Sequence, residues 1–178
     1  NIYSRIGNPT VGALEARLTA LEDGAMCVAL SSGTSAVMYS LINIMSQGDN
    51  FISASQLYGG TYTMFDNILP EYGINAKKVD ITDFKAVEDS IDDKTRAIYC
   101  ETITNPGLVV ADISALSDIA HSHGIPLIVD ATFTTSAIQK SFDFGADIVV
   151  YSLTKWMSGH GRVIAGAVIE KGGFTWGN

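Results

Sequence analysis

Short apolar runs alternate with amphipathic stretches along almost the whole chain, and this alternation is the feature that most restricts its fold. An apolar run of about four to eight residues predicts a buried strand, whereas apolar residues three or four apart predict a helix with one buried face. The strand candidates are residues 25–30, 51–54, 78–79, 96–100, 127–130, 147–152 and 163–169. The helix candidates are residues 11–21, 37–44, 62–69, 83–91 and 113–123. Strands that alternate with helices in this way predict an α/β fold, a three-layer αβα domain with a mostly parallel sheet.

The last strand candidate, residues 163–169, is the expected exception to the parallel arrangement. It is reached from residues 147–152 through a short link that contains Gly159, His160 and Gly161. A parallel crossover needs a dozen or more residues and usually a helix, so we expect one antiparallel strand here.

The sequence predicts one domain. No internal repeat or linker-like tract interrupts residues 1–178. The sequence begins at Asn1 inside a polar motif, without an initiator Met, and stops just after a Gly-rich turn. We therefore expect these residues to be part of a longer chain.

The composition argues against several kinds of partner. Eleven Lys and Arg against 19 Asp and Glu give a net charge of -8, which provides little attraction for a nucleic acid. No apolar run approaches the roughly 18 to 20 residues that cross a bilayer, and the start lacks the layout of a signal peptide. Cys27 and Cys100 lie in apolar runs without a C-x-x-C spacing, which predicts buried free thiols in a reducing compartment. We therefore expect a cytoplasmic protein that binds neither nucleic acid nor membrane.

Several common binding and catalytic motifs are absent from the sequence. No G-x-G-x-x-G follows a strand candidate and no Lys follows a Gly, so the dinucleotide fingerprint and the P-loop are missing. His121, His123 and His160 form no zinc-binding pattern, and we expect no metal site. The G-x-S-x-G of many hydrolases is also missing.

Polar residues follow several strand candidates at the point where each strand ends. They are residues 31–34, 58–60, 101–107, 130–132 and 152–155. The carboxyl ends of parallel strands meet at one edge of an open sheet, where α/β proteins bind ligands. We therefore expect these residues to converge on one site.

The chemistry of these groups suits one ligand. Gly33 lies at the start of a helix, where free backbone N–H groups bind anions, although an ordinary capped turn has the same sequence. Ser152 and Thr154 are two residues apart at a strand end and share one face, and Lys155 follows them, although a Lys there is also a common solvated terminus. Asp130 ends a buried strand, where a carboxylate needs a partner unless it only caps the next turn.

Pyridoxal 5'-phosphate (PLP) combines a phosphate, an aldehyde and a pyridine nitrogen. Lys155 would form the Schiff base and Asp130 would hold the proton of the pyridinium, so that the ring acts as an electron sink. Ser152, Thr154 and the turn at Gly33 would bind the phosphate. Tyr58 offers a ring that stacks on the pyridine and a phenol for acid–base catalysis.

The sequence resembles the Cys/Met-metabolism (trans-sulfuration) family of fold-type I PLP-dependent enzymes over essentially its whole length. The matching segments are residues 3–5, 8–10, 31–33, 58–61, Glu101 with 105–106, 129–130, 152–155 and 159–161. The resemblance implies the large domain of this fold, with a C-terminal small domain and an N-terminal segment outside the sequence. It implies that Lys155 binds the cofactor, that Asp130 is the partner of the pyridine nitrogen, that Tyr58 stacks on the ring and that Asn105 donates to the ring hydroxyl.

The resemblance also implies the phosphate ligands and the assembly. Gly33, Thr34, Ser152 and Thr154 would bind the cofactor phosphate within one subunit. Tyr3 and Arg5 would reach the phosphate of a neighbouring subunit. A homo-oligomer with shared active sites is therefore expected, as a dimer of dimers, and the arginine that binds the substrate carboxylate would lie outside this sequence.

Residues 58–62 and 172–176 look most like O-acetylhomoserine sulfhydrylases within this family. That resemblance implies γ-replacement on O-acetylhomoserine with sulfide, which gives homocysteine and acetate for methionine biosynthesis. Lys155 would take the Cα proton of the substrate. Cystathionine γ-synthase and methionine γ-lyase remain alternatives within the family, and a non-catalytic α/β domain that binds a phosphorylated ligand is the alternative from another class.

Overall fold

Seven strands form one mixed sheet in the computed structural model, which describes residues 2–176. The strands are β1 (Met26–Leu30), β2 (Asn50–Ala54), β3 (Asn75–Val79), β4 (Thr95–Glu101), β5 (Leu127–Asp130), β6 (Ile148–Ser152) and β7 (Gly166–Glu170). The helices are α1 (Pro9–Glu22), α2 (Gly33–Ile42), α3 (Gly59–Thr63), α4 (Phe84–Asp89), α5 (Ile113–Ser122) and α6 (Thr135–Ile138).

The strand order across the sheet is β1-β7-β6-β5-β4-β2-β3. The five strands from β3 to β6 pair in parallel, and β7 pairs antiparallel with both β6 and β1. The expected mostly parallel sheet with one antiparallel strand is confirmed. The sequence between β6 and β7 contains only one short helical turn, Trp156–Ser158, and this is too little for a parallel crossover.

Burial of whole strands accounts for the three-layer architecture. Every residue of β2 is buried, as are all residues of β4 except Arg96, because helices cover both faces of the central sheet. Within this core Phe65 packs edge-on against Phe51 and Tyr99, with ring centroids 4.8 and 5.1 Å apart. Cys27 and Cys100 are buried free thiols, as expected.

The starts of the first two helices follow from their capping residues. The side chain of Asn8 accepts hydrogen bonds from the backbone N–H groups of Thr10 and Val11, and Pro9 occupies the first turn of α1. The hydroxyl of Ser32 accepts from the N–H of Ser35 and begins α2 directly after β1. Strand, turn and helix follow in the order that the apolar pattern predicts.

The predicted helix over residues 62–69 differs from the observed structure. Residues 59–72 form α3, then one wider π-helical turn (Met64–Ile68), then a tight 3-10 turn (Leu69–Tyr72). Pro70 has no N–H and cannot continue an α-helical ladder, so the chain changes its hydrogen-bonding pattern before it. The last strand also begins at Gly166 rather than at residue 163, because Ala165 already pairs with Thr154.

No helix within residues 2–176 is both long enough and apolar enough to span a membrane.

Candidate functional site

A cleft of about 700 Å³ lies at the carboxyl ends of the parallel strands. Eight of the ten predicted site residues line it: Gly33, Thr34, Tyr58, Asn105, Asp130, Ser152, Thr154 and Lys155. These residues come from five separate stretches of sequence, and the sheet topology brings them to one edge.

Gly33 places the start of α2 directly against the end of β6. A Cβ atom on this residue would lie 2.5 Å from the Cβ of Ser152, a distance that no real pair of such atoms tolerates. The hydroxyl of Ser32 already caps the N–H of Ser35, whereas the N–H groups of Gly33 and Thr34 lie in the first turn, which has no acceptor within the helix. The lack of a side chain at this position therefore leaves a cradle for an anion between the helix start and Ser152.

The two predicted hydroxyl ligands have different surroundings. The Oγ atom of Ser152 lies beside Gly33, 2.9 Å from the position a Cβ would take there. The hydroxyl of Thr154 bonds the backbone of Ala165, donating to its carbonyl at 3.3 Å and accepting from its N–H at 3.1 Å. Thr154 therefore also joins the end of β6 to the segment before β7, and its hydroxyl must turn away from the Ala165 carbonyl to donate to a phosphate.

Asp130 ends β5 at the floor of the cleft. One carboxylate oxygen accepts from the N–H of Thr132 at 2.9 Å and the other from the hydroxyl of Tyr99 at 3.4 Å. Burial raises the pKa of Asp130 because water no longer solvates the charge, and these hydrogen bonds only partly oppose that shift. A carboxyl group in these surroundings favours a protonated, cationic partner such as a pyridinium nitrogen.

Tyr99 is a site residue that the sequence patterns do not reveal, whereas Thr132 is among the residues expected at this edge of the sheet, without an assigned contact. Tyr99 lies inside a buried strand and is indistinguishable by periodicity from a core aromatic residue. Thr132 donates its N–H to Asp130, and its hydroxyl accepts from the N–H of Ser152 at 2.8 Å. It therefore fixes the turn after β5 to the end of β6.

Glu101, the last residue of β4, is a second carboxyl group at the cleft and is buried, with 6% of its surface exposed. Its two oxygens accept from the backbone N–H groups of Tyr58 at 2.7 Å and Asn105 at 3.1 Å. Burial raises its pKa to about 7, and the nearby charge of Asp130 acts in the same direction. The sequence placed Glu101 at a strand end, but its role depends on its contacts with the distant loop at Tyr58 and with the nearby loop at Asn105.

Tyr58 and Lys155 both border the cleft, Tyr58 just before α3 and Lys155 shortly after β6. The ring of Tyr58 lies over the start of α3, and a Cβ on Gly60 would be 2.7 Å from it, so a larger residue there would displace this ring. Lys155 follows β6, and its N–H bonds the carbonyl of Ser152 at 3.2 Å. Its side chain is exposed and lines the cleft. The amine of Lys155, the ring of Tyr58 and the carboxylate of Asp130 thus share one cavity.

Tyr3 and Arg5 do not line this cleft. Both are exposed, and the guanidinium of Arg5 lies 5.1 Å from the centre of the Tyr3 ring. The expected contact with the phosphate of a neighbouring subunit therefore remains a prediction.

A second cluster has the composition of a catalytic triad but not its geometry. His121 Nε2 lies 2.8 Å from Asp147, and its other nitrogen lies 3.3 Å from the Ser117 hydroxyl. Ser117 is buried and donates to the carbonyl of Gly145, so it offers no exposed nucleophile. The cluster joins the end of α5 to the start of β6.

The residues of the cleft fit PLP. The cradle at Gly33 and Ser152 suits a phosphate, the half-buried carboxyl of Asp130 suits a protonated ring nitrogen, and the amine of Lys155 suits an aldehyde. The volume of about 700 Å³ leaves room for a substrate beside the cofactor.

Comparison with known proteins identifies consistent relatives. The family model "Cys/Met metabolism PLP-dependent enzyme" matches residues 1–178. The O-acetyl-L-homoserine sulfhydrylase of Leptospira meyeri is 44% identical over 178 residues, which cover 100% of this chain and 40% of that protein. The chain spans about two fifths of the length of the curated relatives it matches.

Solved structures agree with the family match. A Campylobacter jejuni protein named as an O-acetylhomoserine (thiol)-lyase, with N'-pyridoxyl-lysine-5'-monophosphate in its chain, superposes with a TM-score of 0.95 at 41% identity, covering 98% of this chain and 43% of that one. The cystathionine gamma-lyase of Lactobacillus plantarum, complexed with L-serine, superposes with a TM-score of 0.91 at 41% identity, covering 96% and 44%. These similarities confirm the predicted fold class.

Proposed function

The chain belongs to the family of Cys/Met metabolism PLP-dependent enzymes, and from that premise we propose that residues 1–178 form the cofactor-binding large domain of an O-acetylhomoserine sulfhydrylase. The reaction exchanges the acetate of O-acetylhomoserine for sulfide and yields homocysteine. The observation that carries the proposal is that Lys155, the half-buried carboxyl of Asp130 and the phosphate cradle at Gly33 meet in one cleft.

Each residue has a role that its position supports. Lys155 attaches the cofactor and, once freed by the substrate, accepts the Cα proton on its Nζ atom. Asp130 holds the proton of the ring nitrogen, because its half-buried carboxylate is fixed by hydrogen bonds from Tyr99 and Thr132. When bound, PLP supplies an electron sink for the charge that develops on the substrate carbons.

The remaining predicted residues bind and orient the cofactor. Gly33, Thr34, Ser152 and Thr154 bind the phosphate at the start of α2 and the end of β6. Tyr58 stacks on the ring and its phenol moves a proton. Asn105 donates to the ring hydroxyl.

The cofactor assignment is tested on the full-length protein that carries this chain. We expect an absorbance band at about 420 nm, and we expect borohydride reduction followed by peptide mapping to label Lys155. A colourless protein, or a label on another lysine, contradicts the proposal and leaves the non-catalytic phosphate-binding domain as the alternative.

The substrate assignment needs a separate comparison, because a cystathionine gamma-lyase at 41% identity shares this fold. We expect turnover of O-acetylhomoserine with sulfide to exceed both its turnover with cysteine and the breakdown of methionine alone. Preference for cysteine would indicate cystathionine γ-synthase, and breakdown of methionine would indicate a γ-lyase.

Assembly and location belong to the same proposal. We infer a homo-oligomer, a dimer of dimers, in which Tyr3 and Arg5 complete the phosphate site of a neighbouring subunit. The exposed positions of both residues outside their own cleft support this assembly. The buried free thiols of Cys27 and Cys100 support a cytoplasmic location.

A further inference from the structure

We propose that Glu101 is a positioning residue that holds the two cofactor-contacting loops, at Tyr58 and at Asn105, in fixed positions on the cleft. The proposal rests on the PLP site proposed above. Glu101 itself has no assigned contact with the substrate or the cofactor, and it acts through the backbone of the two residues that flank the ring.

The contacts are specific to these loops. One oxygen of Glu101 accepts the N–H of Tyr58 at 2.7 Å, and the other accepts the N–H of Asn105 at 3.1 Å. Tyr58 precedes α3, which has no side-chain cap of its own, so the carboxylate of Glu101 provides the fixed acceptor at this helix start. The side chain of Glu101 therefore links a residue that lies 43 positions before it with a residue that lies 4 positions after it.

The rigid sheet transmits this position to the cofactor site. Glu101 is the last residue of β4 and lies in register with Asp130 at the end of β5. Thr102 continues the pairing, donating its N–H to the carbonyl of Asp130 at 3.0 Å. The loops at Tyr58 and Asn105 are thus fixed relative to the carboxylate that is proposed to hold the ring nitrogen.

Two substitutions separate position from charge. In Glu101→Gln the side chain keeps its length, but its amide has one acceptor oxygen and cannot accept from both N–H groups. In Glu101→Asp the charge remains, but the side chain is one methylene shorter and cannot reach both loops. A positioning role predicts that both variants are impaired, whereas a purely electrostatic role predicts that only Glu101→Gln is.

A matched control is available at Glu15. Its carboxylate also accepts one backbone N–H from a distant residue, that of Ala29 at 2.9 Å, and an amide can make the same bond. Glu15 does not line the cleft. We expect Glu15→Gln to bind PLP as the wild type does.

The experiment titrates the full-length apoprotein with PLP and records the circular dichroism at about 420 nm per bound cofactor. We expect both Glu101 variants to bind PLP about tenfold more weakly and to lose circular dichroism per bound cofactor, because the ring is less firmly oriented. Wild-type affinity and dichroism in either variant overturn the inference, as does a loss of apoprotein stability with unchanged dichroism. A wild-type protein that does not bind PLP overturns the proposed function and this inference with it.

Discussion

At the scale of single residues, three carboxyl groups have pKa values that burial raises above the ordinary range. Burial raises the pKa values of Glu22, Glu101 and Asp130, and of these Glu101 reaches about 7. Glu22 lies away from the cleft and accepts a hydrogen bond from the hydroxyl of Tyr151. Glu101 and Asp130 lie side by side at the ends of adjacent strands, where the same burial that costs stability places acceptors at the cofactor site.

The raised pKa of Glu101 predicts the pH dependence of stability. Between its ordinary pKa of 4.5 and about 7, the folded state holds a proton that the unfolded state releases, so stability falls as the pH rises through this window. The contribution of Glu101 is at most about 3 kcal/mol. We expect Glu101→Gln to make the decline in apoprotein stability between pH 4.5 and 7 shallower, as measured by chemical denaturation.

The decline should not vanish in that variant, because Glu22 and Asp130 have shifts of the same sign. An unchanged slope would mean that Glu101 already titrates near its unfolded value.

At the scale of elements, the contact between the start of α2 and the end of β6 creates the anion cradle. The helix approaches the strand closely because Gly33 has no side chain. Gly166 on β7 also lies against the start of this helix, where a Cβ would be 2.0 Å from the carbonyl oxygen of Ser32. Two glycines on different elements therefore permit one helix start to face the cleft.

Gly33→Ala should impair both folding and cofactor binding. The added methyl group collides with Ser152 and pushes α2 away from β6, at a cost of about 1 to 3 kcal/mol. We expect lower stability in urea denaturation and weaker PLP binding in a titration of the full-length protein.

Gly12→Ala is the matched control, because Gly12 lies within α1 with no atom within 4 Å of the added Cβ. We expect it to stabilise the protein by about 0.5 to 1 kcal/mol, since Ala favours a helix interior more than Gly does, and to leave PLP binding unchanged. If Gly33→Ala bound PLP as tightly as this control, the phosphate cradle would be wrongly placed.

At the scale of the whole molecule, the positive groups of the proposed site come from distant parts of an acidic chain. The net charge is -8, yet Lys155 lies in the cleft and Arg5 lies at the exposed N-terminal end. If Arg5 serves the phosphate of another subunit, then each active site needs two chains, and variants of different subunits should complement each other.

Mixed oligomers test this arrangement. We expect Arg5→Ala to weaken PLP retention and Lys155→Ala to abolish activity in their own oligomers. When the two full-length variants are dissociated and reassembled together, random pairing should restore about one quarter of the wild-type activity, because half of the dimers have one site with both residues intact. No gain in activity on mixing would contradict the shared site and would indicate that Arg5 contacts the phosphate of its own subunit.

Local periodicity in the sequence predicted the order of the elements well, because alternating buried strands and amphipathic helices depend on neighbouring residues. It predicted the helix before Pro70 less well, since the change to wider and tighter turns depends on which backbone groups find acceptors. The periodicity also predicted too early a start for β7, because the backbone N–H and carbonyl groups of Ala165 bond the hydroxyl of Thr154.

The sequence by itself determined the α/β architecture and the residue types of the site, since Asp130 ends a predicted strand, Gly33 and Lys155 each follow one, and parallel strand ends must meet at one edge. Only the tertiary structure decided how those residues are held. The bonds from Tyr58 to Glu101 and from Tyr99 to Asp130 join segments far apart in sequence. Such contacts depend on strand register and close packing, which local patterns do not encode.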